Sequence, residues 1–294
     1  MDWRIKCVAF HVLRFAPRRW YCALQQRVTG RFLFNVTESE LAAYSVHANA
    51  LKEFAPGGRA LEFGCGSNLL SSLLLSAAGA AEVFAYDLNR IATLDQVNHV
   101  IRQLRTRGGD WPEITDLEAD LLRKYRIQYR APADARHTGL PDGHIDFVCS
   151  TSVLEHIPEN DIRLILAECR RICRPGAALS MIIDYHDHYA TADPTISRIN
   201  FYRYPAAVWR FLSPPNHYQN RLRHSDFERI FGDAQLLIAE NRAVVPEIAL
   251  DRQHMDRQFR PYSDRDLAAL NGFFLLGTPP GLRARHATSS ARQT

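Results

Sequence analysis

Two clusters of residues in this sequence have the types and the spacing to do chemistry. The first is Glu62-Phe63-Gly64-Cys65-Gly66-Ser67-Asn68, followed 21 positions after Gly66 by Asp87. Two glycines flanking one residue permit a tight turn and let a ligand lie against bare backbone. A helix starting directly after them would offer unpaired N–H groups, which favour an anionic group. A carboxylate at the end of the next strand is placed to accept hydrogen bonds from a ribose diol. A nicotinamide dinucleotide is the competing ligand, but its fingerprint needs a third glycine where Leu69 stands.

The second cluster is Asp184-Tyr185-His186-Asp187-His188-Tyr189. Imidazoles and carboxylates together can take a proton from a nucleophile. In an extended segment Asp184, His186 and His188 share one face, with Tyr185, Asp187 and Tyr189 on the other. Either face could meet a ligand. The expected general base is His188 or Asp187, with Asp184 beside it. Asp184, His186, Asp187 and His188 also have the donor atoms for a divalent cation. The base role is preferred, and no metal ligand is assigned.

These residues need elements to hold them. Short apolar runs at Arg59–Phe63, Glu82–Tyr86, Ile127–Tyr129, Ile145–Ser150 and Leu179–Asp184 read as strands. Between them, helical patterns are expected over Leu69–Ala78, Leu88–Arg105, Asp116–Tyr125 and Asp161–Cys173, with a further one at Ser225–Phe231. Such alternation means βαβ units and a parallel sheet covered on both faces. Ligands of these sheets bind outside the carboxyl ends of the strands, where both clusters fall. A helix over Glu38–Phe54 is expected, capped by Thr37 and ended by Pro56-Gly57-Gly58. Residues 3–27 read as one or two helices interrupted by Pro17. They are expected to pack over the sheet or the mouth of the site, with only weak contact to a membrane surface as the other use of their apolar stripe.

The 294 residues, 46% hydrophobic and 23% charged, exclude a disordered chain, a collagen-like repeat and a coiled coil. No run approaches the roughly 20 apolar residues of a membrane span, and the basic N-terminus lacks a signal-peptide core. The cytoplasm is the expected location. Residues 1–31 carry seven Lys/Arg against Asp2, and the tail 281–294 adds three arginines without an acid. Within a total of +4, the body is therefore acidic. Basic surface at the ends rather than around a groove argues against a nucleic-acid partner. The cysteines (Cys7, Cys22, Cys65, Cys149, Cys169, Cys173) form no Cys-x-x-Cys and read as reduced packing residues.

The motifs taken in order resemble the class I S-adenosylmethionine-dependent methyltransferases, in particular their small-molecule, type 11-like branch. They are Leu61-Glu62-Phe63-Gly64-Cys65-Gly66, Ala85-Tyr86-Asp87, Ala133-Asp134-Ala135 with Leu140-Pro141-Asp142-Gly143, Ile145-Asp146-Phe147-Val148, Val153-Leu154-Glu155-His156-Ile157 and Arg171-Ile172-Cys173-Arg174-Pro175-Gly176. The resemblance spans about residues 60–184 and departs at Ala177, where the family often has a second glycine. It implies a Rossmann-like, doubly wound, seven-stranded and mostly parallel α/β sheet. Gln235–Arg242 and Gly272–Thr278 are the candidates for its final antiparallel strands. It implies S-adenosyl-L-methionine as cofactor: Glu62, Gly64 and Gly66 on the methionine part, with Cys65 in the same turn. Asp87 would hold the ribose with Leu88 beside it, and Asp134 the adenine amino group with Ala135 adjacent. Ser150 and His156 would line the same rim. His156 reads equally well as a loop histidine bonded to backbone, and Asp146 as a structural acid.

The expected organisation is an N-terminal helical segment (1–57), a methyltransferase domain (58–280) with an insertion at about 185–222 after the fifth strand, and a frayed tail (281–294). The insertion holds Phe201, Tyr202, Tyr204, Trp209, Phe211 and Tyr218 interleaved with arginines. This composition suits a lid over a sugar-like, aromatic or anionic acceptor; it suits equally a satellite core beneath the N-terminal helices. Ser150-Thr151-Ser152 stands where nucleobase amino-methylating relatives carry Asn/Asp-Pro-Pro-Tyr/Phe, and no Pro-Cys dipeptide is present. The expectation is therefore an enzyme methylating a small-molecule or glycan-type acceptor at oxygen. A non-catalytic cofactor-binding module is the alternative, followed by an RNA or protein methyltransferase.

Overall fold

A computed structural model of the chain describes residues 2–13, 35–280 and 282. The expected second N-terminal helix, the break at Pro17, Cys22 and the tail from 283 lie outside the described residues. Five strands run in the order the sequence predicts: β1 (Arg59–Phe63), β2 (Glu82–Tyr86), β3 (Ile127–Arg130), β4 (Ile145–Thr151) and β5 (Cys173–Asp184). Two more follow, β6 (Leu237–Val244) and β7 (Asn271–Gly277). They form one sheet in the order 3-2-1-4-5-7-6. β1 to β5 pair in parallel, and β7 lies antiparallel to both β5 and β6. The doubly wound, mostly parallel architecture with a final antiparallel pair is thus present.

Strand alternation explains the two-sided core. Ala60, Val83, Ala85, Phe147 and Cys149 point to one face, and Leu61, Phe63, Phe84, Tyr86 and Val148 to the other. The first face is covered by α2 (Glu38–Phe54), α3 (Leu70–Ala77), α4 (Leu94–Arg105) and α5 (Ala119–Tyr125). The second is covered by α6 (Glu159–Ile172) and α8 (His224–Asp233). The α2 cap is the one predicted: Thr37 accepts from the Glu40 N–H, and the Glu40 carboxylate accepts from Thr37 in return. α4 starts at Leu94 rather than Leu88, because Thr93 caps it and leaves 88–92 as a loop beside Asp87. Among the described residues no helix is long and apolar enough to cross a membrane. Cys7, Cys65, Cys149, Cys169 and Cys173 are free and buried.

The insertion after β5 forms a third apolar cluster with α1 (Trp3–Leu13). Trp3, Cys7 and Phe10 pack against Tyr189, Phe201, Tyr202 and Trp209, the last on α7 (Ala206–Leu212). Most of the insertion's aromatic side chains are therefore its own core, and α1 is what completes it. α1 also reaches the second chemical cluster, where Lys6 Nζ donates to the His188 carbonyl at 3.2 Å.

Candidate functional site

The first cluster sits at the carboxyl ends of β1 and β2. The Gly64 and Cys65 N–H groups both donate to the Tyr86 carbonyl, at 2.8 and 3.1 Å, which ties the turn to β2. The Gly66 N–H donates to Asp87 Oδ2 at 3.0 Å, and the Asn89 N–H to Asp87 Oδ1 at 2.8 Å. Both glycines have left-handed backbone, φ +73° and +69°. A Cβ on Gly66 would meet only open space, whereas one on Gly64 would strike Val153. Leu88, directly after Asp87, leaves an apolar side chain 53% exposed. Ser150, at the end of β4, is buried with its Oγ unpartnered. Open space against Gly66, an apolar shelf at Leu88 and an acid between them fit a nucleoside with a charged tail.

Glu62 lies beneath the turn, buried, and accepts from Ser72 of α3. Burial pushes its carboxyl up to about 7, against the pull of that hydrogen bond. An acid whose pKa rises on folding holds its proton more tightly in the folded chain. Its burial costs nothing below the ordinary value of 4.5 and progressively more until about 7. Glu62→Gln removes this titration. Between about pH 5 and pH 8 the melting temperature of the native chain should fall relative to the variant by about 5–10 °C. Parallel curves from thermal unfolding without ligand would show that Glu62 does not titrate in this window.

Asp134 does not present an idle carboxylate to an adenine amino group. Both of its oxygens accept from the Arg136 guanidinium, Nε at 3.0 Å and Nη2 at 2.7 Å, and Arg136 also pairs with Asp161. The neighbouring Ala135 is partly buried and packs on the sheet's second face. Asp146 is structural: it accepts from the Arg59 N–H at 2.6 Å and pairs with Arg174.

The second cluster is sorted by where β5 stops. The strand ends at Asp184, and the chain then turns instead of continuing extended. Asp184, His186 and His188 converge: His186 Nδ1 bonds Asp184 Oδ1, and His188 Nε2 lies 3.6 Å from Asp184 Oδ2. Burial works to raise the Asp184 carboxyl, but the two histidines outweigh it and hold it well below the usual carboxylate range. Asp187 faces the other way. It is fully buried, accepts from the Tyr189 N–H at 2.8 Å and from Asn200, and knits the insertion together. Of the two residues expected as the base, His188 therefore stands beside Asp184, and Asp187 is turned into the insertion. Gln219 fixes the segment, donating to the His186 carbonyl at 2.6 Å and accepting from the His188 N–H at 3.2 Å.

Sequence reasoning left Glu155 without a role, yet the turn after β4 (residues 154–156) brings it here. The His156 ring lies 4.8 Å from that of His188. His156 Nδ1 bonds the Tyr218 carbonyl at 2.8 Å, as the backbone-bonded reading expects. Although His156 keeps an exposed edge, desolvation by the chain around its ring, with His188 nearby, lowers it to about 4. Tyr44 of α2 feels the charges of Glu62 and Glu155 and, chiefly through burial, is raised to about 12.

His156 is also one wall of a cavity of about 740 Å³ beneath the insertion. Trp209, Tyr218, Arg221, Phe259 and Tyr262 line much of the remainder. Arg221 is held there by the Phe201 and Tyr204 carbonyls, with its guanidinium 5.3 Å from the Trp209 ring centre and 5.0 Å from that of Phe259. The volume is that of a site for one small molecule, and the lining joins aromatic faces to a cation.

A family model described as a methyltransferase domain matches residues 37–241. No curated protein matches the chain. Among solved structures, an S-adenosylmethionine-dependent methyltransferase from Methanosarcina mazei is 16% identical over 78% of this chain and 96% of that one, with a TM-score of 0.48. A geranyl diphosphate methyltransferase is 14% identical over 81% and 77%, with a TM-score of 0.49. A putative sarcosine dimethylglycine methyltransferase from Galdieria sulphuraria is 12% identical over 83% and 88%, again at 0.49. Overlaps this loose carry no argument about substrate. The family match covers both chemical clusters, β1 to β5 and the first part of β6, and β7 completes the order 3-2-1-4-5-7-6. The chain belongs to the class I S-adenosylmethionine-dependent methyltransferases.

Proposed function

We propose that this protein is an enzyme that transfers the methyl group of S-adenosylmethionine to an oxygen of a small-molecule or glycan-type acceptor. The observation that carries the reading is the junction at His156. One side of this residue lines the 740 Å³ cavity, and its ring stands against His188 at the carboxyl ends of the strands. When bound, S-adenosylmethionine supplies a methyl carbon already activated by its sulfonium centre. The chain's own residues contribute alignment. Asp87 accepts from the ribose, the Gly64–Gly66 turn lies against the charged tail, and Leu88 gives the base an apolar surface. Trp209, Tyr218 and Phe259 wall the acceptor and exclude water, and Arg221 adds positive charge. A hydroxyl acceptor must shed a proton, and Asp184 with His188 marks where it leaves. An amine would need less of this help, which favours oxygen.

Methyl-labelled cofactor incubated with the protein and separated fractions of a cell extract tests the reading. Label is expected in the small-molecule or glycan fraction, and Asp87→Ala should abolish most of it at low cofactor concentration. Calorimetry with S-adenosylhomocysteine should show that this variant binds about 1–3 kcal/mol more weakly, the scale of a lost charged hydrogen bond. Label in nucleic acid or protein would overturn the acceptor class. Saturable S-adenosylhomocysteine binding with no label in any fraction would favour a non-catalytic cofactor-binding module.

A further inference from the structure

We propose that Glu155, His156 and His188 hold a divalent first-row metal cation at the acceptor end of the site. One carboxylate oxygen of Glu155 and one nitrogen from each histidine lie within 4.8 Å of one another, a spacing that one ion can gather. Glu155 is only 2% exposed, and neither of its carboxylate oxygens has a hydrogen-bond partner. A buried carboxyl with nothing to bond is costly and calls for an explanation. One ring nitrogen each from His156 and His188 lies within 4.8 Å of it, and a cation among them would satisfy all three groups.

The surroundings are prepared for ligation. His156 Nδ1 must carry the proton, because the Tyr218 carbonyl 2.8 Å away can only accept. Nε2 is then the bare nitrogen, the tautomer a ligand needs. Asp184 stands behind His188, with Oδ2 3.6 Å from Nε2, as an outer carboxylate that orients the ring. Asp184, His186 and His188 also cluster closely enough for an ion. His186, however, already spends one nitrogen on Asp184 and the other on Thr191 Oγ1 at 3.0 Å. The Glu155 set is the one with ligand atoms to spare. Two imidazoles and one carboxylate leave coordination positions open, the pattern of sites that receive a substrate oxygen rather than of structural ones. His156 borders the cavity, so an open position there faces the acceptor. The use of the cation rests on the methyl-transfer reading; its binding does not.

The test uses the full chain without an affinity tag, stripped with chelator and titrated with Zn²⁺, Co²⁺ and Mg²⁺ by calorimetry. Co²⁺ binding is also followed by its visible absorption. One equivalent of Zn²⁺ or Co²⁺ is expected, with Mg²⁺ much weaker because imidazole suits the softer ions. Glu155→Gln and His188→Ala should each lower the affinity at least tenfold, while His254→Ala at the exposed surface should not. The cation should raise the melting temperature of the native chain but not that of Glu155→Gln. If Glu155→Gln shows no unfolding transition of its own, His156→Gln takes its place in the same comparison. No saturable binding, or variants that bind like the native chain, would overturn the site. These measurements need neither cofactor nor acceptor. A chain that binds the ion but methylates nothing refutes the function reading alone, and one that methylates but shows no saturable ion binding refutes this inference alone.

Discussion

Replacing His188 with alanine is expected to lower methyl-transfer turnover by about 10²–10⁴-fold, the range for removing a group on which proton transfer depends, whether it takes the proton itself or holds the cation that makes the acceptor more acidic. S-adenosylhomocysteine binding should stay near that of the native chain, because His188 belongs to the acceptor end rather than to the turn at Gly64–Gly66. Asp187→Asn is the informative companion. From sequence alone Asp187 is as good a base as His188, and the two substitutions would be expected to behave alike. In the folded chain the Asp187 carboxyl is buried among insertion residues, bonded to the Tyr189 N–H and to Asn200, and burial raises it to about 6. Asparagine keeps the shape and one acceptor oxygen there, so turnover should remain within a few-fold of native. Asp184→Asn should fall between the two, since it loses the partner of His186 without removing a ring. The measurement is kcat across about pH 6–9 once an acceptor is known. Equal losses in Asp187→Asn and His188→Ala, or a native rate in His188→Ala, would remove the assignment.

The turn at Gly64–Gly66 and the acid beside it were legible because their rules are local. Gly64, Gly66 and Asp87 owe their positions to a strand end, a tight turn and the next strand end, each readable within a few residues. The acceptor half depends on events that spacing does not encode. Where β5 stops decides which of Asp184, Asp187 and His188 come together, and the strand stops at Asp184 just before the ambiguity begins. His156 is placed by the carbonyl of Tyr218, 62 positions away. Glu155 has no role legible in its motif, since what distinguishes it is the missing partner of each oxygen, a property of the packed chain. Asp134 has a partner that the family pattern does not show: Arg136, two residues on, pairs with it. Aromatic composition could not separate a lid from a core in the insertion. Phe201 and Tyr202 became core because Trp3 and Phe10 of α1 pack in the same cluster.

Gly64→Ala should destabilise the chain by about 2–5 kcal/mol and weaken the cofactor site in what remains folded. An added Cβ would lie 2.3 Å from Val153 Cγ2, 2.8 Å from Cγ1 and 3.1 Å from Cβ. Valine is stiff at its branched carbon, so the clash cannot be relieved by swinging a flexible tip. Overpacking of this kind costs about 1–3 kcal/mol, and the left-handed backbone at φ +73° adds about 1–2 kcal/mol for any L side chain. If Val153 yields instead, it carries with it the turn whose His156 N–H donates to the Val153 carbonyl at 2.9 Å. A change in the cofactor turn is then transmitted to the acceptor cluster. Combining Gly64→Ala with Val153→Ala should return the overpacking part of the loss but not the backbone part, a coupling that a double-mutant cycle measures directly. Gly66→Ala provides the contrast. Its Cβ would meet nothing within 4 Å, so stability should fall only by the backbone term, while S-adenosylhomocysteine binding should fall further because the ligand occupies that space. Denaturant unfolding and calorimetry on the same variants separate the two. Native binding in Gly66→Ala would mean that the open space belongs to something other than the cofactor, and native stability in Gly64→Ala would mean that Val153 is not the wall that holds the turn.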